Sequence, residues 1–181
     1  MDRLKFLQVY DRRKVMLAGS TIAMAIAGLF HLWIVPERWD HAPAHGIFFL
    51  FAGSAQLVWA VAFWRKPIVR LYFIGFALAG WLIVLWALTR VLPAPFTNVP
   101  EEIRLVDLTV KLFESVSLSC LAYLIYQGFM ADAGGSIAWR TLLLVVVTAL
   151  LAAFLTYNLA RALEPVLPLL HGSANIQWHG L

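Results

Sequence analysis

The stretch VRLYFIGFALAGWLIVLWALTRV, residues 69–91, contains no proline and no charge between Arg70 and Arg90. Its apolar residues run on without the alternation of a half-buried strand, and about 20 of them in a helix cross the roughly 30 Å hydrocarbon core of a bilayer. Hydrocarbon offers the backbone no hydrogen-bond partner, so a spanning segment must bond its own N–H and C=O groups, as a helix does. The stretch therefore predicts a transmembrane helix.

Four further runs of the same kind flank it, at residues 15–35, 46–64, 106–130 and 141–163, and all eight prolines fall outside the five. With 62% hydrophobic and 13% charged residues, a water-soluble domain of this size would expose too much apolar surface. The expected fold is all-α: an integral membrane bundle of five helices over 15–163, with a basic arm at 1–14 and an interfacial tail at 164–181. Its first partner is the lipid bilayer.

Lysine and arginine in short flanking segments favour the cytoplasmic side. Arg3, Lys5, Arg12, Arg13, Lys14, Arg65, Lys66, Arg70 and Arg140 flank one side, against Arg38, Arg90, Arg104 and Arg161 on the other. The N-terminus is thus expected inside and the tail outside. Ala42-Pro43-Ala44 gives a small-x-small pattern, but the preceding run is too long for a secretory h-region, so the first helix is expected to be retained. The net charge of +4 comes from flanks that suit anionic head groups, and no basic patch interleaved with aromatics points to nucleic acid.

Cys120 is the single cysteine. It excludes an intramolecular disulfide and a thiolate metal cluster, and reads as a small core residue. The five histidines, His31, His41, His45, His171 and His179, all belong to segments expected on the outer side. Residues 36–44 form a short loop between the first two helices, and it could hold His31, Glu37, Asp40, His41 and His45 in one volume. Imidazole with carboxylate suits zinc, iron, nickel or copper(II). Pro43 separates His41 from His45, which places His41 in the loop rather than on the second helix. No HExxH or paired CxxC signature is present. The plain alternative is an interfacial loop whose histidines and tryptophans sit among head groups.

Asp107, Lys111 and Glu114 are spaced i, i+4, i+7 on one face of the fourth run, with Glu114 about 12 Å from its outer end. An ionisable group at that depth is costly and is by default a functional hypothesis; the structural alternative is an ion-pair ladder that fixes helix register. Gln56 lies about 16 Å deeper than His45 on nearly the same helical face. His45 and Gln56 could then line one side of a cavity, opposite Asp107, Lys111 and Glu114.

His31-Leu32, Pro36-Glu37, Ala44-His45-Gly46-Ile47-Phe48-Phe49 and Gly53-Ser54-Ala55-Gln56 together resemble small bacterial multi-helix membrane proteins to which no activity is attached. The resemblance implies a bacterial inner membrane and carries over no catalytic residue.

The functional expectation is an outer-facing His and carboxylate site binding a transition metal, with a haem inside the bundle left open. The alternatives are an accessory subunit, docking on other membrane subunits or on further copies of itself, and a protein that conducts protons or ions through Glu114. The chain lacks the inverted repeat of many transporters and any Ser-His-acid set of a hydrolase.

Overall fold

A computed structural model describes residues 3–132 and 136–170. Six helices make up its architecture: α1 (Arg3–Trp33), α2 (Val35–His41), α3 (Pro43–Arg65), α4 (Val69–Val91), α5 (Leu105–Asp132) and α6 (Ser136–Leu163), followed by a 3-10 turn at Pro168–Leu170. Five segments are long and apolar enough to cross a membrane, at Arg12–Trp33, Pro43–Arg65, Val69–Val91, Leu105–Gly128 and Leu143–Leu163. The protein is an all-helical bundle suited to a lipid bilayer.

The expected first loop is largely helical. Pro36 sits in the first turn of α2, where a missing N–H breaks no hydrogen bond and a fixed φ suits the helix. The helix stops at Ala42, whose φ of −156° and ψ of 124° are extended, because Pro43 disfavours the helical region in the residue before it. Pro43 then opens α3. His41 ends α2 and His45 lies in the first turn of α3, so the two histidines occupy different helices.

α1 packs between α3 and α5, while α4 packs against α5 and α6 and touches α3. The α1–α3 approach depends on two glycines. A Cβ on Gly53 would stand 2.8 Å from the Gly28 carbonyl oxygen, and one on Gly28 would stand 3.0 Å from that of Gly53. Small residues of this kind let helix backbones close up in a membrane, where no hydrophobic force drives helices together.

The two halves of the bundle differ. Near the α3–α4 connection, Met24, Trp59, Phe63, Tyr72, Phe76, Leu121 and Leu124 form an apolar core. Trp59 and Phe63 stack with ring centres 4.7 Å apart, and Phe63 meets Tyr72 edge-on at 5.0 Å. Trp59 Nε1 donates to the Leu71 carbonyl at 2.8 Å, which satisfies the one polar atom of that ring. Most buried charged groups lie in the opposite half, beneath α2 and the α4–α5 loop.

Residues 92–104 form that loop, and it is pinned at several points. Glu101 N donates to Thr89 O and Ala94 N to Val99 O, both at 3.0 Å, while Tyr157 Oη donates to Pro93 O at 2.7 Å. Phe96 and Asn98 take positive φ values of 67° and 58°. Asparagine tolerates that region, whereas a bulky aromatic residue there is strained. The result is a buried Phe96 ring over the end of the bundle.

Candidate functional site

Four charged side chains meet below the loop. Arg38 comes from α2, Arg90 from the last turn of α4, Glu101 from the loop and Asp107 from the first turn of α5. Arg38 Nη2 donates to Asp107 Oδ1 at 2.9 Å and Nη1 to Glu101 Oε2 at 3.3 Å. Arg90 repeats the pattern, with Nη2 to Asp107 Oδ2 and Nη1 to Glu101 Oε2, both at 2.8 Å. Two guanidinium forks thus bridge two carboxylates, and the quartet carries no net charge. Planar bidentate donors make such bridging possible, where a lysine ammonium offers a point charge. Phe49 lies 5.2 Å from the Arg38 guanidinium and Trp86 lies 5.3 Å from that of Arg90, in the range of cation–π attraction.

A second polar chain lies deeper. His31 Nδ1 donates to Gln56 Oε1 at 2.7 Å, and Gln56 Nε2 donates to Glu114 Oε1 at 2.9 Å. Lys111 Nζ donates to the other carboxylate oxygen, Oε2, at 2.5 Å. The remaining imidazole nitrogen, His31 Nε2, stands 3.9 Å from Glu114 Oε1, about an ångström beyond a hydrogen bond. Glu114 and Gln56 are 0% exposed and His31 is 3% exposed. This chain links the last turn of α1 to the middle of α3 and of α5. Past Glu114, Ser117 Oγ donates to Ser20 O at 3.1 Å, and the buried side chains beyond are those of the apolar core.

Both clusters border one cavity of about 180 Å³. His31, Lys111, Arg90, Glu101 and Asp107 supply its polar wall, and Phe48, Leu82, Leu85, Val110 and Phe96 much of the apolar one. His45 also faces it, with Nε2 donating to Pro95 O at 3.0 Å and Nδ1 at 3.4 Å from Glu101 Oε1.

The structure sorts the expected site residues into several places. Lys111, Glu114 and Gln56 meet, while Asp107, one turn from Lys111 on α5, pairs with the two arginines. His31 is bonded to Gln56. Glu37 is exposed and paired with Arg104, and Asp40 and His41 are also exposed. Among the described residues, no three His, Cys, Asp or Glu side chains are grouped so as to hold a metal ion. His171 and His179, with most of the expected tail, lie outside the described residues.

Sequence reasoning counts Arg38 and Arg90 among the outer-side charges and allows Arg90 to neutralise Glu101, as it does, but it does not bring Arg38 and Asp107 into the same cluster. The one signal that could have found it is the mixed charge at one end of the bundle, with two arginines opposite Glu101 and Asp107.

Comparison of the chain with family models, with curated proteins and with solved structures finds no match.

Proposed function

We propose that this chain is a bacterial inner-membrane protein, with its N-terminus cytoplasmic, that binds a small molecule in the outer-half cavity. In this reading the His31, Gln56, Glu114 and Lys111 chain exchanges a proton with the bound molecule. The observation that carries it is Glu114. A carboxylate without exposure in the middle of a span is retained only where it is paired, neutral or functional. Here it has a lysine on one oxygen and, through an amide, a histidine on the other.

An ion pair that merely fixed helix register would need Lys111 alone. His31 adds a second group that can hold or release a proton, and both His31 and Lys111 border the cavity. A proton leaving a ligand would reach His31 Nε2 directly, or Glu114 by way of the Lys111 ammonium. The apolar core past Ser117 supports exchange with one side in preference to conduction through the bilayer.

The metal reading draws less support from this geometry, because Asp40 and His41 are exposed and His31 and Glu37 have other partners. An accessory role rests on apolar helix faces, such as Leu151, Phe154 and Leu155 of α6, that a bilayer covers equally well.

Infrared difference spectroscopy in lipid nanodiscs tests the proposal. The carbonyl stretch of a protonated carboxylic acid should appear as pH falls from about 9 to about 5, and it should be missing in Glu114→Gln. If the Glu114-dependent band does not change across that range, the proton-exchange reading fails.

A further inference from the structure

We infer that the cavity takes an uncharged molecule about the size of a single ring that carries an acceptor oxygen, such as a ring ketone or quinone-type carbonyl. The inference rests only on reading the cavity as a binding site and adds what it binds; a carbonyl acceptor has no acidic proton, so the inference does not depend on the proton exchange proposed above.

Size sets the first limit. A volume of about 180 Å³ is slightly larger than the engineered cavity of about 150 Å³ that admits benzene. One ring with a substituent fits it.

Charge sets the second. Arg38 and Arg90 are matched by Glu101 and Asp107, and Lys111 by Glu114. An entering ion would have to break one of these buried pairs and leave its partner uncompensated, which is expensive. A neutral molecule breaks none.

Hydrogen bonding sets the third. Three cavity-lining side chains carry a buried nitrogen with no hydrogen-bond partner, at His45 Nδ1, Trp86 Nε1 and Arg90 Nε; His45 Nδ1 faces Glu101 Oε1 at 3.4 Å, which leaves the other two. Arg90 is 8% exposed at its side chain, and both its terminal nitrogens are already used by Glu101 and Asp107. The two unpartnered atoms are N–H donors and nothing else, so they call for an acceptor. They stand four residues apart on α4, on one face, and both residues line the cavity. A carbonyl oxygen held there would place its ring against Phe48, Leu82 and Leu85.

The same chemistry could arrive as a free aromatic ketone or as the head group of a tailed lipid. Acetophenone serves as the probe, titrated by calorimetry into the full chain in nanodiscs, with empty nanodiscs as the blank. Ethylbenzene lacks the oxygen and benzoate adds a charge. Saturable binding of acetophenone, with ethylbenzene weaker and benzoate without detectable binding, is the expected result. Trp86→Phe, which removes the N–H together with part of the ring, should weaken acetophenone about fivefold more than it weakens ethylbenzene. Displacement of acetophenone by a long-tailed quinone would assign a lipid source, and displacement by the tail-free ring alone an aqueous one.

The inference is overturned if acetophenone shows no saturable binding, if ethylbenzene or benzoate binds as well, or if Trp86→Phe weakens acetophenone no more than ethylbenzene. Acetophenone binding alongside a silent Glu114 band would sink proton exchange and keep the ligand class. A titrating band without acetophenone binding would do the reverse.

Discussion

The Gln56 amide nitrogen donates to Glu114 Oε1 at 2.9 Å, joining the middle of α3 to the middle of α5. The same amide accepts from His31, so one side chain satisfies two buried groups on two other helices. Gln56→Leu keeps the volume and removes both bonds. A buried polar group left unmatched costs about 1–3 kcal/mol, although hydrogen bonds between membrane helices average nearer 0.6. We expect Gln56→Leu to lower stability by about 1–3 kcal/mol in reversible detergent denaturation. An unchanged midpoint would mean that the amide is replaceable by lipid-like contacts.

Close approach of α1 and α3 gives a second expectation. Gly53→Ala puts a methyl group 2.8 Å from a backbone oxygen, and backbone cannot move aside as a flexible side chain can. Separation of the helices should cost about 1–3 kcal/mol. A Cβ on Gly128 would meet nothing within 4 Å, so Gly128→Ala should be neutral or stabilise the helix by up to about 1 kcal/mol. Paired denaturation curves of the two variants check the contrast, and equal effects would refute it.

Five spans were legible because a bilayer-length apolar run has few other readings. α2 was not, since Pro36 looks like a loop residue unless its place in the first turn is known. The Lys111–Glu114 pair was legible because residues three apart on a helix are neighbours. Helical spacing also aligned His45 with Gln56, yet the group across from Gln56 is His31 on α1. That partner depends on how far α1 and α3 slide along each other, which Gly28 and Gly53 fix and periodicity does not. The arginine quartet joins residues 63 and 69 positions apart, a distance over which local pattern carries no pairing information.

The two classes of ion pair should respond very differently to mutation. Arg90→Gln leaves Glu101 and Asp107 to share Arg38 in a buried setting, and breaking such a network costs about 3–5 kcal/mol. Glu37 and Arg104 are 59% and 49% exposed at their side chains, where a pair contributes about 0–1 kcal/mol. Glu37→Gln should therefore leave stability almost unchanged while Arg90→Gln lowers it severely. Thermal denaturation in one detergent measures both, and a mild Arg90→Gln phenotype would show that water reaches the quartet.

Orientation offers the last expectation, and it bears on which compartment supplies the cavity. Cys120 is the single cysteine, so a Cys120→Ser background gives a chain without thiols into which one can be placed at will. Asp40 is exposed at the α2 end, and Lys66 is exposed at the opposite end, between α3 and α4. The excess of lysine and arginine on the Lys66 side favours that side in the cytoplasm. An impermeant maleimide applied to intact cells should then label Asp40→Cys and spare Lys66→Cys until the membrane is opened. The reverse pattern would turn the cavity toward the cytoplasm, and any ligand and proton would have to come from inside the cell.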